Sequence, residues 1–157
     1  MCFFKLQNSQ FRVSSMLSVV NVRPYAERDA ARWNEFVFAC QSATFFHRIE
    51  WRAIMEGVFH HRTHYLLAER DGQIVAVLPL AEVKSRLFGH ALTSLPFAVY
   101  SGVAGDDPEA VAALEAAAEA AARKAGVQHL EYRNLTERHA DWPRQELYVT
   151  FRKEILP

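Results

Sequence analysis

Cysteine is scarce in this sequence. The 157-residue chain holds two, Cys2 and Cys40, far apart and without a C-x-x-C spacing. That excludes a disulfide framework and argues against a thiolate metal or redox centre. No excess of either charge exists: Lys plus Arg and Asp plus Glu are 18 each, with a pI near 7.1. A neutral chain without a basic stripe does not announce a nucleic-acid binder. No stretch approaches the ~20 apolar residues of a membrane span. The opening MCFFKLQNSQFRVSSMLSVV is broken by Lys5, Gln7, Asn8, Gln10 and Arg12. It lacks the continuous apolar core and the cleavage site of a signal peptide. The cytoplasm is therefore the expected compartment. Residues 1–17 read as an unstructured tail, with Met1 and Met16 both open as the start and one domain over 18–157.

What is present suits a globular domain. Half of the residues are hydrophobic and 12% aromatic. Val19 to Arg23 alternates and then meets Pro24, as a short strand does. Trp33, Phe36, Val37 and Cys40 recur at i, i+3, i+4 and i+7 within 27–40, one face of a helix. HRIEWRAIMEGVF reads as a second helix, with Trp51 and Met55 paired at i, i+4. In HYLLAERDGQIVAVLPLAEV, Asp71-Gly72 separates two β-rich runs, a hairpin signal because both turn positions need positive φ. Pro79 has no N–H for a ladder and belongs at an edge or bulge. Leu92 to Val99 reads as a further strand interrupted at Pro96. Asp107 and Pro108 are N-cap and first residue of an alanine-rich helix over 108–125, closed by Gly126. VQHLEYRNL and ELYVTFRKEIL read as the last two strands. The predicted order is β-α-α-β-β-β-α-β-β. A central hairpin excludes a purely parallel sheet, so the class is α/β (α+β), with a mixed, mostly antiparallel sheet and helices on both faces.

Side-chain chemistry narrows less. His60, His61 and His64 cluster where a turn enters a strand, and no third ligand of matching spacing follows, so no metal site is expected. His47 and His129 have no recognisable Ser or Cys partner for a triad. Glu69 and Glu131 are available as general bases, or as solvated strand residues. Arg52 and Arg133 carry guanidinium forks that suit a phosphate or carboxylate, or a surface ion pair.

The element order is similar to the opening of the GNAT acyltransferase fold. The segments ATFFHRIEWRAIMEGVF, YLLAERDGQIVAVLPL, SLPFAVYSGVAGD and LEYRN also come in the order and spacing of the FemAB-like proteins. These are peptidoglycan-bridge aminoacyltransferases and their relatives, including a branch beside exopolysaccharide gene sets. The resemblance runs from about Val19 to Pro157. It implies an acyl- or aminoacyltransferase acting on an amine of a cell-wall, polysaccharide or peptide precursor. Acyl-coenzyme A or aminoacyl-tRNA would be the donor. Family members carry two GNAT-like domains, and this chain matches the first, so a second domain is the implied partner. By resemblance Trp51 lines the acceptor cleft, with core packing as the alternative. Tyr100 and Gly102 then contact the acceptor, and Arg52 and Arg133 its charged groups. GNAT enzymes hold the coenzyme A pyrophosphate on a Q/R-x-x-G-x-G/A loop at a helix N-terminus. Here Ser101 to Gly105 has glycines but no preceding Arg or Gln in register, and Asp106 and Asp107 follow. Two other readings stay open: a stand-alone GNAT acetyltransferase, and a non-catalytic assembly module that dimerises through its last strand.

Overall fold

The computed structural model describes residues 18–85 and 89–145. The predicted tail and the predicted final strand at ELYVTFRKEIL lie outside the described residues. The strands are β1 (Asn21–Pro24), β2 (Arg62–Thr63), β3 (Leu66–Arg70), β4 (Gln73–Leu78), β5 (Ala81–Ser85), β6 (Gly89–Thr93) and β7 (His129–Glu131). The helices are α1 (Ala30–Ala39), α2 (Glu50–Gly57) and α3 (Pro108–Ala125). Single 3₁₀ turns at Glu27–Asp29 and Phe45–His47 lead towards α1 and α2.

Strands β1, β3 and β4 form one antiparallel sheet. Strands β2, β5, β6 and β7 form a second, in which only the β6–β7 pair is parallel. The chain passes from the first sheet to the second at Pro79 and Leu80. Both are buried, and Pro79 stands at a bend where no ladder N–H is needed. The predicted continuous run through Val83 is thus two strands. The predicted strand Leu92–Val99 is corrected as well. It ends at Thr93, because Leu95 and Phe97 take positive φ (48° and 68°) on either side of Pro96. The Asp71-Gly72 turn has φ of 51° and 75°, as its sequence requires.

Two cores flank the first sheet. Alternate residues Leu66, Ala68, Ala76 and Leu78 pack with Ala110, Leu114, Ala118 and Ala122 of α3. Leu67, Ile74 and Val77 pack with Trp33 and Val37 of α1 and Met55 of α2. The small residues of α3 let it lie close on the sheet. Asp107 accepts from the N–H groups of Glu109 and Ala110, at 3.1 and 3.2 Å, and Gly126 caps the other end at φ 65°. Between Ala68 and Glu69 the β3–β4 register shifts, leaving Val75 as an extra residue on β4. Gly105 (φ +147°) lies against that bulge. A Cβ there would come within 2.6 Å of the Ala76 Cβ and 2.7 Å of the Val75 carbonyl, so only glycine fits.

Candidate functional site

The segment Ser94–Asp107 crosses from β6 to α3, and its geometry is set by buried polar contacts. Ser94 and Ser101 are both fully buried. The Ser101 hydroxyl donates to the Ser94 carbonyl, and the Ser94 hydroxyl accepts from the Arg133 N–H at 2.8 Å. The N–H groups of Ser101 and Gly102 both donate to the Arg133 carbonyl, at 3.0 and 3.1 Å. The Ala104 N–H donates to Val77 and the Gly105 N–H to the Ser42 hydroxyl, each at 3.0 Å. The amides of Ser101, Gly102, Ala104 and Gly105 therefore already have protein partners and are not free to cradle an anion. The first turn of α3 is closed in the same way. Asp107 takes its free N–H groups, and Arg70 bridges Asp107 and Glu109 at 2.9 and 2.7 Å.

From the opposite side the segment is held by the 3₁₀ turn before α2. The Thr44 hydroxyl donates to the Tyr100 carbonyl at 2.7 Å. The Thr44 N–H donates to His47 Nδ1 at 2.9 Å, which makes Nδ1 the acceptor and leaves the proton on Nε2. His47 Nε2 then donates to the Gly102 carbonyl at 2.8 Å. His47 is buried, and burial pushes its pKa below the ordinary value of 6.5. In the unfolded chain the ring takes up a proton near that value, whereas in the folded chain it resists. The neutral ring's contribution is present above pH 6.5 and is lost as the pH falls towards the depressed value. Unfolding midpoints measured between neutral and mildly acidic pH should therefore fall more steeply for the wild type than for His47→Gln. Parallel curves would remove His47 as the acid-sensitive brace of this segment.

The predicted residues divide into two groups. Tyr100, Gly102 and Arg133 come together. Arg133 donates from Nε to Glu131 and from Nη1 to the Ala98 carbonyl, each at 2.9 Å, so its fork braces the loop. A Cβ on Gly102 would overlap the Asn134 side-chain oxygen at 1.8 Å. Trp51 and Arg52 lie apart on α2. Trp51 is half-buried and packs on Phe45 and Phe46, at ring separations of 5.8 and 5.3 Å. Arg52 pairs with Glu27 and with Glu56 and lies over the Tyr25 ring. Glu69 is held below the usual carboxylate range by Arg23 and Arg32, which makes it a poor base. His64 and His90 both face Glu82, at 3.2 and 2.7 Å. No metal-holding cluster of three His, Cys, Asp or Glu occurs among the described residues. The sequence did not reveal Thr44, Ser94 or Asn134. They are ordinary polar residues whose importance comes from burial beside a partner distant in the chain. His47 alone carried a signal, a lone histidine among aromatics in FFHRIEW.

Solved structures share this architecture at low sequence identity. A GNAT family acetyltransferase from Staphylococcus aureus superposes with a TM-score of 0.55 at 10% identity, over 87% of this chain and 98% of the other. An aminoglycoside 6'-N-acetyltransferase from Acinetobacter haemolyticus gives 0.57 at 17% identity, over 86% and 99%. A transcriptional regulator from Bacillus halodurans gives 0.55 at 10%, over 85% and 100%. The fold is therefore GNAT-like, a mixed α/β architecture. No protein-family model matches the sequence, and no curated protein matches it. No helix among the described residues is long and apolar enough to cross a membrane.

Proposed function

We propose that this chain is the acceptor-binding, N-terminal lobe of a FemAB-like acyl- or aminoacyltransferase. The donor, an acyl-coenzyme A or aminoacyl-tRNA, would be held by a second GNAT-like domain. The observation that carries this reading is the state of the loop before α3. Its Ser101, Gly102, Ala104 and Gly105 amides have internal partners, and Asp107 with Arg70 closes the helix N-terminus. A loop so satisfied has little to offer a pyrophosphate. What it offers is a rigid segment that presents Tyr100 beside the aromatic turn at Phe45. In this role Tyr100 and, across the Phe45 turn, Trp51 line the acceptor groove, while buried Gly102 and Arg133 hold its floor. Transfer to an amine then relies on positioning and on donors supplied to the tetrahedral oxyanion.

A second reading has its own support. The two named acetyltransferases are matched over nearly their whole length, as a self-contained single-domain acetyltransferase would be. Calorimetry with coenzyme A and an acetyl-transfer assay on amine acceptors separate the two. The two-lobe reading expects no saturable coenzyme A binding and no turnover by this chain alone. Micromolar binding accompanied by turnover would replace it with the stand-alone enzyme.

A further inference from the structure

A surface helix ordinarily turns charged side chains to water and apolar ones to the core. Helix α2 does only the second. Met55 is fully buried and Trp51 half-buried, but Ala53, Ile54, Gly57 and Val58 are exposed. The three charged residues of the helix are engaged elsewhere. Arg52 and Glu56 pair with each other and reach Glu27 and Thr63. Glu50 turns to Arg48 and Asn34. The apolar surface continues past the end of the helix, where Phe59 stacks on Phe97 at 4.5 Å. Val58 is 66% and Phe97 63% exposed. Exposed apolar residues joined into one surface mark a docking site, whereas scattered ones do not.

Gly57 points the same way. Glycine in a helix is less stable than alanine. The Gly57 backbone is not left-handed, and a Cβ there would meet no atom within 4 Å. The chain's own fold therefore does not call for glycine at this position, whereas a second backbone packed against it would.

The character of the surface indicates what covers it. Ala53 and Gly57 leave a hollow one helical turn long, and Ile54 and Val58 form the ridge beside it. One surface thus carries both halves of an isologous contact: two α2 helices run antiparallel across a twofold axis, each ridge seated in the other's hollow. The same arrangement sets Glu50, at the start of one helix, against the exposed His60 beyond the end of the other, an acceptor opposite a donor. The formal net charge of the chain is zero, so no long-range repulsion holds two copies apart.

We propose that two copies of this chain associate through the outward face of α2. Ile54 and Val58 anchor the contact, Gly57 is its point of closest approach, and Phe97 flanks it. This surface is distinct from the last strand, and the proposal does not depend on whether the chain transfers acyl groups.

Sedimentation velocity of the intact chain, from nanomolar to high micromolar concentration, tests it. A reversible monomer–dimer equilibrium in the micromolar range is expected. Ile54→Glu and Val58→Glu, both at exposed positions, should each raise the dissociation constant roughly tenfold or more. Their urea midpoints, measured where the wild type is monomeric, should stay in place. Ala53→Arg keeps a good helix former on the same face and gives the same readout if a glutamate variant fails to fold. Gly57→Ala should weaken the dimer several-fold while the midpoint of the monomer holds or rises, a combination that a glycine needed only by the fold would not give. The proposal fails if the wild type is monomeric throughout. It also fails if a dimer forms that the Ile54, Val58 and Ala53 variants leave intact, because the contact then lies elsewhere. A dimer unweakened by Gly57→Ala removes the close approach of the two helices.

Discussion

Replacing Trp33 with alanine should lower the unfolding free energy by about 3–5 kcal/mol, the range for deleting a fully buried aromatic. For a chain of this size that is a fall in Tm of roughly 10 °C. Trp33 is completely buried, stacked on Tyr65 and edge-on to Tyr25 at 5.8 Å. Its indole N–H donates to the His47 carbonyl at 2.7 Å, so α1 holds the turn that braces Gly102 through the His47 ring. The damage should therefore reach the candidate groove as well as the core. Trp33→Phe keeps most of the ring and loses the hydrogen bond, and about 1–2 kcal/mol should go with it. Urea unfolding of both variants measures the difference. A loss for Trp33→Ala under about 1 kcal/mol would contradict the burial on which this rests.

The second large effect belongs to Asp29. Its side chain is 1% exposed and receives both Arg23 Nη atoms, at 2.6 and 2.7 Å, together with the Ala26 N–H at 2.9 Å. Arg23 also joins Glu69 at 2.9 Å, and Arg32 reaches both acids. This network fastens β1 and β3 to the entry of α1. Asp29→Asn keeps the shape and removes the charge that Arg23 faces. A loss of about 2–4 kcal/mol is expected, below the full cost of breaking a buried pair because Arg23 retains solvent and Glu69. Arg23 holds the Asp29 carboxyl at about pKa 2, below its ordinary 3.8. Its stabilisation is present above pH 3.8 and is lost as the pH falls through about 2. Acid unfolding of Asp29→Asn should be flatter over that window than that of the wild type. Equal slopes would mean that Asp29 is not the group whose protonation loosens this corner.

The GNAT-like element order was visible in the residues. Its visibility had a local cause. Asp71-Gly72, Asp107-Pro108 and Gly126 each encode their own turn or cap, and the 3.6-residue pattern of α1 is legible wherever its apolar face is buried. The strand after β5 was misplaced for the opposite reason. Leu92–Val99 has a strand-like composition, but Ser94 and Ser101 are tied to each other and to Arg133 by hydrogen bonds that no local pattern records.

By itself the amino-acid sequence determined the helix boundaries of α3, the central hairpin and the mixed sheet, because caps, turns and periodicity act within a few residues. Only the tertiary structure decided that the loop before α3 has its amides engaged and that Arg133 braces it. It also decided that the Tyr65 hydroxyl is buried without a hydrogen-bond partner. Each of these depends on hydrogen bonds or burial between residues tens of positions apart, whose energies exist only once the sheets have packed.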